Sequence, residues 1–491
     1  MENGDDDINF KSLFVPFTAA TLVYLSVLFG LVIFITFSLF TFLKDPPVWP
    51  DEAIFFDTYT NITRSGNMAT NLFKDSIAGM QIKALWYPPL YFYLMSFWTS
   101  LFGQSIEVAR CFSLLLSVSV LGIFFWVIDI LFKSRKFAFT GFFLLLIDSA
   151  FNTAAKVGRM DMLSFFFLVS GILLYLFARE RKKMVYFILV GVVLGLGILT
   201  HPFGLTTTML IVIFVAIEKE SLKSKITSLA YIFAPVFISI FIWYLATAKY
   251  FSIFVTQFQL QLTRKALEVP YVISLFQTNI CWQLLMITYA LIAISLAYMN
   301  YKYPSWLGRF CLIGLIVSVI ALVWGRESWY LLYFQPFITL SVLTLFKLSK
   351  SKKNIFFLTS AVFLTIVVLI INLIFIFGKL NSLRNTDYNK YAGKVSEAIP
   401  SGSTVFLASI PDPYFSLIRK RGITLIEFPT VPVTDRSYKR LLDSADYIIV
   451  NYVSDKRLFD YINKNTEKKF TVIQGGYKTD VIKLRKVRNG I

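Results

Sequence analysis

Long apolar runs, separated by short basic clusters in alternate connections, restrict this 491-residue chain to one kind of architecture. Each run approaches the roughly 20 residues that a helix needs to cross a hydrocarbon core. Spans are expected at 13–43, 106–132, 137–155, 160–178, 184–200, 202–217, 225–247, 281–299, 304–324, 328–347 and 354–378. Lys133–Lys136, Arg179–Lys183, Lys219–Lys225 and Lys347–Lys353 then share one side. Basic residues favour the cytoplasmic face, so that side is read as the cytoplasm. A polytopic α-helical membrane protein of about eleven spans follows, with the N-terminus inside. The first run is too long for a removable signal and lacks its small-residue cleavage site.

Composition agrees. The chain is 56% hydrophobic, with 51 Phe and 25 Tyr, more than an aqueous core needs. The formal charge is +19, and basic residues sit in short clusters beside apolar runs, so membrane orientation is read as their cause before a nucleic-acid partner. Cys111, Cys281 and Cys311 lie inside apolar segments, with neither metal-ligand nor disulfide spacing. The segment Tyr87–Phe102 is short, starts with two prolines and is aromatic, so an interfacial helix is expected there rather than a span. Residues 1–379 therefore form the membrane domain, with a first outer loop at 44–105. Residues 380–491 read as a small extracytoplasmic α/β domain. Its strands are expected near 404–408, 423–428, 447–451 and 470–473, and its helices near 413–421, 438–445 and 458–465. It has no Gly-rich phosphate loop and gives no sign of a nucleotide.

The chemistry gathers on the outer connections. Asp51 and Glu52 follow Pro50 and open a helical pattern; Tyr87-Pro88-Pro89-Leu90-Tyr91 lies downstream. Adjacent helical residues point about 100° apart, so the two carboxylates have separate tasks. Helix capping is the plain alternative for Asp51. The other outer connections hold Lys156, Arg159 and Asp161, the single histidine His201, Arg264 and Lys265, and Arg326 and Glu327. A local Arg159–Asp161 ion pair and a hydrogen-bonded structural His201 are the plain alternatives there. Residues 249–280, with Gln257, Gln259 and Gln261, suit an amphipathic flap. No metal-ligand set is legible, so no cofactor is expected, although acidic residues near a phosphate site leave a divalent ion open. A secondary transporter or lipid-linked sugar flippase is the main rival, but it calls for inverted repeats that the chain does not display.

In order, Trp49-Pro50-Asp51-Glu52-Ala53, Tyr87-Pro88-Pro89-Leu90-Tyr91, Ala109-Arg110, Gly158-Arg159-Met160-Asp161, Thr200-His201-Pro202 and Arg326-Glu327-Ser328-Trp329-Tyr330 resemble the motifs of GT-C membrane glycosyltransferases of the protein O-mannosyltransferase and aminoarabinose transferase type. The likeness covers roughly residues 13–350. It departs at Tyr87, where relatives often carry His or Lys, and at His201, where many carry Lys. It implies an inverting transfer of a hexose or pentose from a polyprenyl phosphate to a glycolipid, glycan or protein hydroxyl at the outer face of a plasma membrane. Asp51, with Glu52, is the implied catalytic position. Lys156, Arg159, His201, Arg326 and Tyr330 would meet the donor phosphate, supported by Asp161, Tyr87, Arg264 and Lys265.

Overall fold

A computed structural model describes residues 10–74, 76–267, 280–383, 385–429, 431–452 and 455–485. The chain opens with helices α1 (Phe10–Thr41), α2 (Pro50–Ser65), α3 (Leu90–Phe102), α4 (Ile106–Phe132), α5 (Arg135–Leu146) and α6 (Ser149–Ala154). It continues through α7 (Asp161–Arg181), α8 (Met184–Thr200), α9 (Phe203–Ile217), α10 (Leu222–Thr247) and α11 (Phe251–Leu267). Helices Ile280–Lys302, Trp306–Gly325, Gln335–Ser351 and Ile355–Leu383 complete the bundle.

Among the described residues, eight helices are long and apolar enough to cross a membrane. α8 and α9, with 17 and 15 residues, fall within a residue of the bounds expected at 184–200 and 202–217 but are shorter than the eight. The expected single span at 137–155 is broken into α5 and α6. Asp148 stops the first helix and caps the second by accepting the Phe151 N–H at 2.8 Å, while Asn372 accepts the Ser149 N–H at 2.9 Å. A carboxylate in an apolar run finds its donors by freeing a helix N-terminus. α3, with 13 residues, is a short helix as expected.

The basic connections meet in pairs. Arg179 binds Glu218 at 2.6 Å and Lys182 binds Glu220 at 2.6 Å, joining the α7–α8 and α9–α10 turns. Lys347 lies 5.4 Å from the ring of Phe132, at the end of α4. The connections that carry Asp51, Arg159 and His201 lie at the opposite ends of these helices. One bundle end is thus basic and the other chemical.

At the chemical end sits a five-stranded sheet of order β2-β1-β3-β5-β4. Strands β1 (Thr404–Ala408), β2 (Thr424–Glu427) and β3 (Tyr447–Val450) are parallel. β4 (Thr466–Gln474) and β5 (Tyr477–Leu484) form an antiparallel hairpin, whose β5 the sequence reading had not marked. Gly475 and Gly476 make its turn at φ +56° and +74°, a conformation that glycine adopts without strain. β1 alternates faces: Phe406 and Ala408 pack under the domain's own helices. Val405 and Leu407 join a core shared with Phe56, Leu72 and Tyr414, so the domain is packed onto the first loop. Tyr388 donates to the Asp412 carbonyl at 2.8 Å, and the Asp412 N–H reaches the Val48 carbonyl at 2.9 Å.

Candidate active site

The first turn of α2 is built around Glu52. Pro50 occupies the first helical position, where its missing N–H costs nothing. Glu52, at the third, accepts the Trp49 N–H at 3.2 Å. The same carboxylate receives Arg110 Nε at 2.9 Å, Arg110 Nη2 at 2.6 Å and the Gly158 N–H at 2.8 Å. These four hydrogen bonds fill its lone-pair sites, so Glu52 has none to offer a substrate. The expected catalytic share of Glu52 is corrected on that ground: it is a buried structural anchor. A Cβ at residue 158 would stand 3.3 Å from Glu52 Oε1 and 3.2 Å from Ala109, which explains the glycine there.

Arg110 is the partner that sequence reasoning left without a role. Besides Glu52, it donates to the carbonyls of Phe42, Pro46 (3.0 Å) and Pro47 (3.3 Å), so all five of its N–H groups are used. Its signal was present: an arginine just inside an apolar span demands a buried partner. The node ties the end of α1, the following loop, α2 and the Gly158 turn to α4.

With Glu52 turned inward, Asp51 faces Arg159. The two form a direct ion pair, with the Asp51 side chain 40% exposed and that of Arg159 only 4%. N-capping is not its task, because Trp49 holds that position. Arg159 Nε also binds Asp161 at 2.9 Å, so the local ion pair, the plain alternative for this segment, is present as well. Burial alone would lower the Arg159 pKa, but Asp161 and Asp51 hold it above its ordinary value.

Around this pair stand Tyr87, His201, Tyr330 and Glu327. Tyr87 stacks on His201 at 6.2 Å and meets Phe55 edge-on at 5.5 Å. Burial, then Asp51, raises its pKa, so the phenol stays protonated. His201 Nδ1 accepts the Phe203 N–H at 3.1 Å, which places the proton of the neutral ring on Nε2. Burial drives its pKa down to about 4, against the pull of Asp161. Where many relatives carry a Lys cation, His201 therefore meets the expected donor phosphate as a neutral N–H donor. Since it is the only histidine, kcat/KM is expected to show no histidine inflection near pH 6–7. An inflection there that vanishes in His201→Asn would contradict this.

Tyr330 stacks on Phe203 at 4.0 Å, with Lys265 5.6 Å from its ring. Arg264 and Lys265 both pair with Glu327, Arg264 at 3.0 Å. Burial tends to raise the Glu327 pKa, but Lys265, Arg264 and Arg159 outweigh it and hold the group below its ordinary value. Arg326 is oriented otherwise: at φ +59° it ends helix Trp306–Gly325 and donates to the Ala266 carbonyl at 3.0 Å. Glu327, not Arg326, enters the cluster. Lys156, buried, binds Thr41 at 3.1 Å and Asp45 at 3.6 Å at the end of α1. Both residues were expected on donor phosphate, and here both are engaged elsewhere. Gln257 fixes the flap helix α11 to the first loop, donating to the Ala78 and Lys83 carbonyls and accepting the Leu85 N–H at 2.6 Å. Flap residues 268–279 lie outside the described residues.

The small domain adds two buried carboxyls that sequence reasoning missed, Asp412 and Glu427. Asp412 Oδ1 accepts the Tyr414 N–H at 2.8 Å, and a side-chain hydrogen bond joins Asp412 to Glu427, which requires a proton on one of the two carboxyls. Burial pushes Asp412 up to about 7, and burial with Asp412 beside it raises Glu427 further. A raised folded-state pKa contributes stability below the ordinary carboxyl value and loses it as pH climbs through the raised value. Hydrogen-exchange protection of β1–β3 is therefore expected to fall between about pH 4 and pH 8. Glu427→Gln should flatten that slope; an unchanged slope would exclude the pair as its source.

Among the described residues, no group of three or more His, Cys, Asp or Glu is placed to hold a metal ion. What the cluster offers is one accessible carboxylate against a buried guanidinium, ringed by neutral phenol and imidazole donors, with two further cations on a flap.

Comparison with known structures identifies the fold that carries this cluster. ArnT from Cupriavidus metallidurans in the apo state matches with a TM-score of 0.60 at 11% identity, covering 95% of this chain and 98% of that one. The fold is that of ArnT. ArnT bound to undecaprenyl phosphate matches with a TM-score of 0.58 at 12% identity, over 96% and 98% of the two chains. The Archaeoglobus fulgidus oligosaccharyltransferase AglB, in complex with an inhibitory peptide and a dolichol-phosphate, matches with 0.55 at 13% identity, over 95% and 74%. Residues 87–244 match the dolichyl-phosphate-mannose-protein mannosyltransferase family. That stretch holds Arg110, Arg159 and His201 but stops short of Asp51. No curated protein sequence matches the chain.

Proposed function

We propose that this GT-C protein is an inverting glycosyltransferase that moves a sugar from a polyprenyl phosphate to a hydroxyl acceptor at the outer face of a plasma membrane. The Asp51–Arg159 pair carries the reading: residues 108 positions apart place a base beside a phosphate cation. The similarity to ArnT and AglB, whose structures hold undecaprenyl phosphate and dolichol-phosphate, supports a lipid-phosphate donor. Basic connections at the far bundle end support an outer site and a C-terminal domain outside.

In the proposed reaction the acceptor oxygen attacks C1 from the face opposite the phosphate. Its proton passes to Asp51 Oδ, and the C1–O bond breaks with its electrons going to the phosphate oxygen. Arg159 neutralises the departing charge, and Tyr87 O–H and His201 Nε2–H donate to phosphate or sugar oxygens. Phosphate binding would draw Arg264 and Lys265 from Glu327, bringing α11 onto the donor. These side-chain cations supply the positive charge, and the scheme routes no step through a metal. The single displacement inverts the anomeric centre.

The test is incubation of purified protein in nanodiscs with polyprenyl-phosphate hexoses and pentoses and a panel of hydroxyl acceptors, read by mass. A glycosidic product of inverted configuration is expected. Donor crossing sealed vesicles without any such product would overturn the reading in favour of a flippase.

A further inference from the structure

A cleft of 490 Å³ opens where α2 meets the small domain, on the aqueous side. Its rim carries Arg64 of α2, Lys74 of the first loop and Arg440 of helix Asp435–Ser444, three cations from three separate segments. Among the described residues, Asp57 is its only carboxylate. That group is already committed, to Thr70 O–H at 2.6 Å, Asn71 N–H at 2.9 Å and Tyr414 O–H at 3.2 Å. A second hollow of 230 Å³ shares Asp57, Arg64 and Tyr414 with the first and adds Arg419. Together they make a groove of net positive charge with an aromatic and aliphatic floor.

The groove belongs to the same helix as the candidate base. Asp57 stands six residues beyond Asp51, about 9 Å along the helix axis, and Arg64 about 20 Å. The domain that closes it is basic in its own right, with 19 Lys and Arg against 11 Asp and Glu in residues 380–491. Membrane orientation does not call for that excess, since charge on a large outer domain has little influence on topology.

We propose that this groove holds an anionic stretch of the acceptor glycan, bearing phosphate or carboxylate groups, while the reacting hydroxyl extends along α2 to Asp51. The proposal rests on the transferase reading for its word acceptor. Charge complementarity selects the class: cations spaced across separate segments suit repeated anions on one chain. Tyr414 and the aliphatic floor suit sugar faces, and Asn71 offers an amide to hydroxyls, the Asn61 N–H groups being held by the Ala69 carbonyl and Asp57.

The test measures binding without any donor, so it stands apart from the transfer assay. Full-length protein in phosphatidylcholine nanodiscs is titrated with a fluorescent poly(glycerol phosphate) oligomer and with uncharged dextran of equal length. Binding of the phosphorylated oligomer, weakened by salt, is expected, with none for dextran. The triple variant Arg64→Gln, Lys74→Gln, Arg440→Gln should bind about tenfold more weakly and with a shallower salt slope. Lys456→Gln with Lys468→Gln, elsewhere on the domain, should bind as the parent does. Equal binding by triple variant and parent overturns the proposal, as does dextran binding as tightly as the oligomer. Were the triple variant to lose only attachment to phosphatidylglycerol vesicles and keep the oligomer, the groove would be a lipid-surface contact and the proposal would fall. Should the triple variant fold poorly, the single variants, each at an exposed side chain, carry the same readout.

Discussion

Asp51→Asn is expected to lower kcat for a hydroxyl acceptor by about 10²- to 10⁴-fold, the usual contribution of a general base. The substitution keeps the shape of the side chain and removes its capacity to take a proton. Arg159 keeps Asp161 as a partner at 2.9 Å, so the site should stay assembled and donor affinity should change little. Steady-state kinetics beside direct binding of a polyprenyl-phosphate sugar separates the two effects. Near-parental turnover would remove Asp51 from the role of base. A collapse of donor affinity at unchanged kcat would assign it to substrate binding instead. Asp51→Glu is the useful companion: a carboxylate displaced by one methylene should recover part of the rate if proton transfer is the function.

Arg110→Met should have the largest effect on stability. Both members of the Arg110–Glu52 pair are fully buried, and removing one partner of such a pair costs about 3–5 kcal/mol because the other stays buried and charged. Three backbone carbonyls also lose their donor. The expected result is a lower yield of folded protein and a clear drop in Tm, with loss of transfer as α2 shifts. Arg110→Met combined with Glu52→Met restores an apolar match and should recover stability in part, because the orphaned charge is gone. That double variant should still be slow, since nothing then ties the first turn of α2 to the Gly158 turn. Full activity in the double variant would show that Asp51 is positioned without the node.

Much of the outline was legible in the chain. Apolar length and basic clusters gave the membrane bundle, because a helix in hydrocarbon must bury its own backbone groups and little else will cross. Asp51, Arg159, Asp161, Tyr87 and His201 were all legible as candidates, since a polar side chain at the end of an apolar run is costly without a purpose. Their distinct roles were not. Glu52 and Asp51 are adjacent and chemically alike, and only the 100° turn between them sends one to Arg110 and the other to Arg159. His201 reads as a possible cation until its burial is known. Arg326 and Glu327 read as a pair until the left-handed backbone at Arg326 turns one to the Ala266 carbonyl and the other to Arg264 and Lys265.

Sequence alone therefore determined the solvent this protein lives in, the bundle, and the set of residues with chemistry to offer. Those follow from composition and spacing along one dimension, where transfer free energies act on each segment separately. Tertiary structure decided which of the charges meet. Arg110 with Glu52, Asp51 with Arg159, Glu327 with the flap, and the two carboxyls of the small domain are all contacts between segments far apart in the chain. Such pairings depend on packing and burial, and a local pattern holds no record of them.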